Sequence, residues 1–274
     1  MFKKIVTLLI LVIFPISLFF TNTFGNFTHY IIPAILVVIS YLLFTRSYKY
    51  YFIPIFIIPF IEPKFVLLPL ILSLLNLNKK NLMPIILSTA LLIIFFKPFF
   101  GQTVLVRNRD AEQKIIQKSN LYNSVILARI FQNKPRYYID GFTSNLSENL
   151  DLNNYFFGFA PRQIRVDDQN LINFPFLSLP FFIIGLYYLN KNKNKKFILA
   201  ISIAILISLS ILTNYDRNDF ISWVPMSLII IYGLNIFEEK IKTSKNKYLI
   251  FTSFSWQALL IVFSSIEILR LFIK

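Results

Sequence analysis

The loop Asn190-Lys191-Asn192-Lys193-Asn194-Lys195-Lys196 runs directly into the apolar stretch Phe197 to Leu212. A basic loop beside an apolar run is typical of the cytoplasmic end of a membrane helix, because cytoplasmic loops retain Lys and Arg. The pattern recurs along the chain, whereas the gap Thr21 to Thr28 contains no basic residue. This alternation predicts a polytopic membrane protein with a cytoplasmic N-terminus. The other clusters are Lys3-Lys4, Arg46 with Lys49, Lys79-Lys80, and Lys240, Lys242, Lys245 and Lys247.

The composition favours the same class. Hydrophobic residues make up 56% of the 274 residues, and the mean hydropathy is +0.63, which is too apolar for a soluble chain with a polar exterior. The expected fold is all-α, a transmembrane bundle of about nine segments in the cell membrane, most of them approaching the roughly 20 residues that cross a bilayer. The segments are predicted at 5–20, 29–45, 49–61, 65–78, 82–99, 173–190, 196–213, 219–237 and 247–268.

Two of these segments, 49–61 and 65–78, are short and interrupted by prolines. One continuous helix over 50–77 is the alternative, but it would place Glu62 in mid-bilayer. It would also turn every later lysine cluster outward, against the orientation rule. Two separate legs, which either cross fully or form a re-entrant hairpin, keep the clusters inside. The sequence therefore favours two legs.

Charge and composition also exclude several classes of function. The net charge is +15, but most of this excess is the set of lysine clusters, so binding of nucleic acid is not expected. The chain has no cysteine, which excludes disulfides, thiolate metal sites and a cysteine nucleophile. The single histidine, His29, cannot build a His-rich metal site, so no metal and no cofactor are expected. The first segment is expected to be an uncleaved helix, because no small-residue cleavage site precedes Thr21.

The largest non-membrane part of the chain is residues 101–172, which the order of the segments places outside the membrane. The chain is therefore expected to consist of an N-terminal membrane part (1–100), this extracytoplasmic segment (101–172) and a C-terminal membrane part (173–274). The outer segment is expected to be partly helical and too small to bury a large core of its own.

Local signals predict two helices within the outer segment. Asp110, with Gln113 in the capping-box position, predicts a helix start, and an intermittent apolar stripe that includes Leu121 and Val125 continues before Pro135. Asp140-Gly141 then predicts a turn. A second short helix is predicted over Ser144 to Leu152.

Most polar residues suited to chemistry lie near the outer ends of the predicted segments. Guanidinium groups bind phosphate in a bidentate manner, so Arg162, Arg165 and Arg217 are candidates for binding a lipid phosphate, with interfacial anchoring as the alternative. A carboxylate pair can supply an acid and a base, which makes Asp167 and Asp168 the catalytic candidates. The remaining candidates on this face are Arg107, Arg109, Asp110 and Asp216.

A recognisable series of residues begins near Asn149. Asn154-Tyr155-Phe156-Phe157-Gly158 is followed by Pro161-Arg162, Pro175, Pro180 and Gly185-Leu186, and later by Asn214-Tyr215-Asp216-Arg217, Pro225 and Gly233-Leu234. This series resembles a C-terminal portion of bacterial membrane glycosyltransferases of the GT-C superfamily, the class that includes dolichyl-phosphate-mannose-protein mannosyltransferase-like proteins. The resemblance implies a polytopic protein that acts on polyprenyl-phosphate-linked sugars.

One departure from that family bears on activity. Members of the superfamily carry an essential Asp or Glu in the first outer loop, whereas the corresponding loop here, Thr21 to Thr28, contains no acid. The expected function is therefore that of an accessory or degenerate member in envelope glycan assembly, not an active enzyme. Its expected partners are the bilayer, a polyprenyl-phosphate lipid and other membrane subunits. A non-enzymatic membrane scaffold is the alternative, and a transporter is less favoured because ionisable groups at the midplane are lacking.

Overall fold

The structure, a computed structural model of the chain, describes residues 4–11, 24–48, 50–75, 82–106, 109–121, 123–126, 133–157, 173–213, 220–244 and 247–272. Helices account for most of these residues. In chain order they are α1 (residues 4–11), α2 (Phe24–Thr45), α3 (Ile53–Ile61), α4 (Leu67–Leu75), α5 (Met83–Ile94), α6 (Phe96–Phe100), α7 (Arg109–Ser119), α8 (Lys134–Leu150), α9 (Leu179–Tyr188), α10 (Lys195–Ser210), α11 (Trp223–Ser244) and α12 (Lys247–Phe272).

The prediction of an all-α fold is confirmed for the described ranges. Their one pairing of extended backbone is an isolated antiparallel bridge between Thr103 and Leu212. Every segment predicted from 29–45 to 247–268 contains a described helix. In the part of the chain that the structure describes, no helix combines the length and the apolar character needed to cross a membrane.

The chain divides into two compact units. Unit 1 consists of Met1–Pro54, Asp151–Ser202 and Arg217–Lys274, and unit 2 consists of Ile55–Leu150 and Ile203–Asp216. Each unit buries apolar side chains of its own. The three-part division drawn from the sequence stays a prediction.

Helices α9 and α11 of unit 1 pack side by side and run in the same direction. Near their N-terminal ends the ring of Phe174, shortly before α9, lies 5.2 Å from the ring of Trp223, which opens α11. At the C-terminal end of α9 the Tyr188 carbonyl oxygen accepts a hydrogen bond at 3.2 Å from the Tyr232 hydroxyl, midway along α11, and the Tyr188 hydroxyl accepts one from Lys240, one turn before the end of α11. Both helices therefore begin at an aromatic end of unit 1 and lead toward the end that carries lysines.

Two glycines allow these parallel helices to touch backbone to backbone. A Cβ atom added to Gly233 would lie 1.8 Å from the carbonyl oxygen of Phe181, and one added to Gly185 would lie 2.2 Å from the carbonyl oxygen of Ile229. Small residues at a helix crossing are typical of pairs that associate through close backbone packing. The adjacent Leu234 side chain is fully buried, and such burial stabilises by roughly 1.5–3 kcal/mol per side chain.

Helix α12 packs antiparallel to α11. The Gln257 amide donates a hydrogen bond at 3.0 Å to the Glu238 carboxylate, and the Trp256 indole N–H donates one at 3.1 Å to the Leu177 carbonyl oxygen. Further along α12, the ring of Phe263 contacts the ring of Phe176 at 6.1 Å. The helix thus begins at the lysine-bearing end of unit 1 and runs back toward the aromatic end.

The turn after α2 belongs to the same end of unit 1 as the loop 191–196. The buried ring of Phe197 contacts Phe44 at 5.0 Å and Tyr51 at 6.0 Å, residues that flank the turn on either side. The turn itself is closed by two hydrogen bonds, from the Ser47 amide to the Phe44 carbonyl at 2.9 Å and from the Tyr48 amide to the Leu43 carbonyl at 3.1 Å. This Schellman geometry requires a left-handed residue, and Ser47 has φ 59°.

Unit 2 contains the two proline-interrupted legs. Helix α3 ends at Ile61, Glu62 is extended with φ −138° and ψ 97°, and a 3-10 turn over Pro63–Phe65 precedes α4. Pro63 disfavours helical backbone at the residue before it, and Glu62 is accordingly extended. The alternative of one continuous helix over 50–77 is therefore wrong, and the prediction of two separate helical legs is confirmed.

The part of the outer segment up to Leu150 packs within unit 2 on the residues that follow α10. The Val104 amide donates to the Ile211 carbonyl at 2.8 Å, and the Thr213 amide donates to the Gln102 carbonyl at 2.8 Å. The Asn145 side-chain amide on α8 donates to the Ser210 carbonyl at 3.1 Å and to the Leu212 carbonyl at 2.6 Å. A single side chain thus satisfies two carbonyls that the end of α10 leaves without helical partners.

Two local predictions for the outer segment are wrong. Helix α7 ends at Ser119, so the predicted apolar stripe does not continue, and Leu121 and Val125 are exposed beyond it. Helix α8 runs uninterrupted through Asp140-Gly141, where a turn is predicted. The reason is its start: the Asn133 side chain accepts a hydrogen bond from the Arg136 amide at 2.9 Å, which caps the helix.

Two further features of α8 agree with a single long helix that starts after Asn133. Pro135 lies in its first turn, where the missing amide hydrogen costs nothing, and does not mark the end of the preceding helix. The Arg136 guanidinium and the Asp140 carboxylate form an ion pair at 2.9 Å one turn apart. The second helix predicted over Ser144 to Leu152 is therefore the C-terminal half of a longer one.

Candidate functional site

The outer candidate site lies almost wholly outside the described residues. Its lipid-phosphate candidates Arg162, Arg165 and Arg217 and its catalytic candidates Asp167 and Asp168 all fall there, as do Arg107 and Asp216. Arg109 and Asp110 form the first turn of α7, so Asp110 lies inside the helix and not at its N-cap. The assignments at this face stay predictions.

The described polar residues converge instead at the lysine-bearing end of unit 1. The Lys240 ammonium donates a hydrogen bond to the Tyr188 hydroxyl, and its nitrogen lies 4.4 Å from the centre of the Tyr188 ring. The Lys191 nitrogen lies 5.2 Å from the centre of the same ring. We call Tyr188, Lys191 and Lys240 the Tyr188 cluster.

Local structure explains why these three side chains meet. Tyr188 is the last residue of α9, and a 3-10 turn over Leu189–Lys191 continues the helical path, which puts Lys191 on the same side as Tyr188. Lys240 comes from α11, which is held in register with α9 by the glycine crossing. Both lysines are exposed and Tyr188 is half-buried. In the described part of the chain, neither lysine forms an ion pair with a carboxylate.

The nearest acidic residues on α11 are Glu238 and Glu239. Glu238 accepts the hydrogen bond from Gln257, which is itself buried and lies 3.4 Å from the Ser253 hydroxyl. This polar chain joins α11 to α12 and uses one of the two carboxylates in helix packing. Glu239 is exposed and adjoins Lys240 in sequence, so the Tyr188 cluster presents its two ammonium groups to solvent with one carboxylate nearby.

At the aromatic end of unit 1, by contrast, the contacting aromatic side chains are buried. Tyr155 and Phe156, from the Asn153–Phe157 turn, are buried, and the Tyr155 ring lies 4.7 Å from that of Trp223. The Phe174 amide donates to the Tyr155 carbonyl at 2.8 Å. Tyr155 and Phe156 belong to the series quoted for the GT-C resemblance, and here they form core packing.

Sequence reasoning used Lys191 and Lys240 only as orientation signals and did not place them together. A signal was present: in both segments a Gly-Leu pair, Gly185-Leu186 and Gly233-Leu234, precedes the lysine by about two helical turns. The spacings are similar, six residues from Gly185 to Lys191 and seven from Gly233 to Lys240, so the lysines lie near each other once the glycines of two helices with the same direction meet.

Comparison of the chain with protein-family models, with characterised proteins and with solved structures finds no match. The chemistry of the described site is that of two ammonium groups and a phenol. Ammonium groups donate to phosphate and carboxylate oxygens, and a phenol that accepts from one of them keeps its own hydrogen to donate. The Tyr188 cluster is suited to holding an anion.

Proposed function

We propose that this chain is a multi-pass membrane protein whose lysine-bearing end faces the cytoplasm and whose 101–172 segment faces outward. Apolar surface supports this proposal. Large apolar side chains are exposed along helix after helix, among them Ile93 at 76% and Phe251 at 70% of their maximum. A soluble monomer does not expose apolar surface on this scale, whereas side chains that contact lipid do.

The distribution of charge supports the orientation. Arg46, the loop 191–196 and Lys240 come from three separate parts of the sequence, and the Phe197 and Tyr188 contacts bring all three to one end of unit 1. Retention of Lys and Arg in cytoplasmic loops accounts for such a grouping. In this topology the chain begins in the cytoplasm.

Within the membrane, the proposed role is that of an accessory GT-C-like protein that holds a polyprenyl-phosphate-linked sugar at the outer face. The residue series from Asn154 to Leu234 and the outer arginines support this role. The first outer loop has no acid, which favours binding without transfer. Arg162 and Arg217 would clamp the lipid phosphate.

A membrane scaffold is the second candidate, and one observation favours it. Within the described part of the GT-C-like series, Gly185, Gly233 and Leu234 contribute to helix packing, as do the buried rings of Tyr155 and Phe156. A scaffold needs such packing and no substrate site. Binding of a polyprenyl phosphate separates the two roles.

The topology is tested by labelling single cysteines, since the chain has none of its own. Ser147→Cys, on the exposed side of α8, is expected to react with a membrane-impermeant maleimide in intact bacterial cells. Lys193→Cys is expected to react only after permeabilisation. The reverse pattern, or release of the chain by alkaline carbonate, would refute the membrane proposal.

The accessory role is tested with a photoreactive polyprenyl phosphate and the purified protein. Crosslinking is expected for the unchanged chain and is expected to fall about tenfold or more in Arg162→Ala and Arg217→Ala, since each charged hydrogen bond contributes about 1.5–3 kcal/mol. Arg46→Ala, at the opposite end of the proposed topology, is the matched control. No crosslinking of the unchanged chain would favour the scaffold, and equal crosslinking in all variants would show that Arg162 and Arg217 do not bind the phosphate.

A further inference from the structure

Lys191 and Lys240 hold their ammonium groups at one tyrosine, and apolar side chains continue from that point along α9. Ile183, Leu186 and Tyr187 are exposed, and their spacing places them on one face of the helix. At the end of this face the ring of Tyr187 lies 4.8 Å from the ring of Tyr188, over which the Lys191 nitrogen lies. An apolar stripe that ends in a cationic group matches the two parts of a phospholipid, its acyl chain and its phosphate.

We propose that the Tyr188 cluster is a binding site for the phosphate headgroup of an anionic phospholipid of the inner leaflet, with the lipid's acyl chain along Ile183, Leu186 and Tyr187. This inference rests on the membrane topology proposed above. It concerns the cytoplasmic side and the bulk lipid, and it is separate from the polyprenyl-phosphate role at the outer face.

The chemistry of the cluster suits a phosphodiester. Lys191 and Lys240 each donate to a non-bridging oxygen, and their combined charge exceeds the single negative charge of the diester, which favours a headgroup with no compensating ammonium. The Tyr188 hydroxyl accepts from Lys240 and donates its own hydrogen to the phosphate. Basic pockets between helices on the cytoplasmic side bind anionic headgroups in this manner.

Rigidity distinguishes this site from a diffuse basic surface. The glycine crossing fixes α9 against α11, and the Tyr232 hydroxyl holds the Tyr188 carbonyl at 3.2 Å. The two lysines are therefore presented as a pair before any lipid arrives, which reduces the entropy lost on binding. Lys193, in the turn before α10, and Lys196, in the first turn of α10, carry the same charge without a described contact to the ring.

The test is a lipid titration of the full chain in neutral detergent, followed by native mass spectrometry. Phosphatidylglycerol is expected to bind more tightly than phosphatidylcholine. Lys191→Gln with Lys240→Gln is expected to weaken phosphatidylglycerol binding about 25-fold, or about fivefold for each lysine. Tyr188→Phe, which leaves the charge unchanged, is expected to weaken it severalfold, and phosphatidylcholine binding is expected to change in none of them.

The matched control is Lys193→Gln with Lys196→Gln, which removes the same charge from the same end of unit 1. An equal loss in this control would mean diffuse attraction and would overturn the site. Competition by inorganic phosphate as effective as that by phosphatidylglycerol would assign the cluster to a soluble anion and overturn the lipid assignment. Circular dichroism of each variant confirms that helix content is retained.

The labelling experiment above keeps the two proposals apart. If Ser147→Cys and Lys193→Cys show that the chain is not in the membrane, the proposed function fails and the lipid site fails with it. If the chain is in the membrane and the paired variant binds phosphatidylglycerol as the unchanged protein does, this inference alone is wrong.

Discussion

Gly185 and Gly233 face each other where two parallel helices cross, and a Cβ atom on Gly233 would lie 2.8 Å from the amide nitrogen of Gly185. Real Cβ atoms do not approach a backbone atom so closely. The crossing sets the register that later brings Tyr188 and Lys240 together. The Tyr188 cluster therefore depends on two residues that have no functional groups.

Replacing Gly233 by alanine is expected to destabilise the chain by about 3 kcal/mol or more, because the helices must separate to admit the methyl group. The nearest atom, at 1.8 Å, is a backbone oxygen that cannot rotate away. Thermal unfolding followed by circular dichroism measures the effect. Gly185→Ala is expected to behave in the same way.

Gly141→Ala is the matched control for these glycine variants. It too lies within a helix, but its added Cβ would meet the Val104 side chain at 3.5 Å, an ordinary contact. Alanine is the better helix former, so this variant is expected to gain about 0.5–1 kcal/mol. Equal destabilisation at Gly141 and Gly233 would show that the crossing has no special role.

Replacing Ser47 by glycine is expected to stabilise the chain by about 1 kcal/mol. Ser47 has φ 59° in the turn that ends α2, a conformation that costs residues with a Cβ roughly 1–2 kcal/mol. Thr45→Gly, two residues earlier in the last helical turn, is expected to lose about 0.5 kcal/mol. A loss of stability in both variants would contradict the left-handed geometry.

Replacing Asn145 by aspartate is expected to cost about 2–4 kcal/mol. The change removes both donors to the Ser210 and Leu212 carbonyls, and it places a carboxylate against the negative end of α10. The exposed neighbour Ser144 makes no described contact, so Ser144→Ala is expected to stay within about 0.5 kcal/mol. Equal melting temperatures of the two variants would show that the hydrogen bonds from the Asn145 side chain do not stabilise the fold.

The purified chain, supplied with polyprenyl-phosphate sugars and mixed acceptors, is expected to show no sugar transfer. General-base catalysis contributes about 10²–10⁴-fold, and the first outer loop has no carboxylate to provide it. Radiolabelled sugar recovered in acceptor is the readout. Transfer that disappears in Asp167→Asn or Asp168→Asn would contradict the prediction and identify the base.

The helices were largely predictable because apolar runs bounded by lysines define them without tertiary information. Prolines marked the break near Glu62 equally well. The prediction of a turn at Asp140-Gly141 is wrong, because turn propensity is local and weak. The capped start at Asn133 and the ion pair between Arg136 and Asp140 stabilise a helix through that dipeptide.

The Tyr188 cluster was harder to predict, because the sequence of one helix does not indicate which face of another helix it will contact. The positive charges of Lys191 and Lys240 predicted an orientation in the membrane, but they did not predict that the two side chains lie close together. The pairing comes from contact at Gly185 and Gly233, and a glycine in an apolar run has several common uses. Most of the polar candidates predicted at the outer face lie outside the described residues.

The placement of the two tryptophans has a practical consequence. Trp223 and Trp256 are the only two in the chain, and both belong to unit 1, where one is buried and the other donates to a carbonyl oxygen. Unit 2 has none. Tryptophan fluorescence therefore reports on unit 1 alone, whereas far-ultraviolet circular dichroism reports on the helices of both units. Different midpoints from the two signals would reveal that the units melt independently, and a shared midpoint would show that they melt as one.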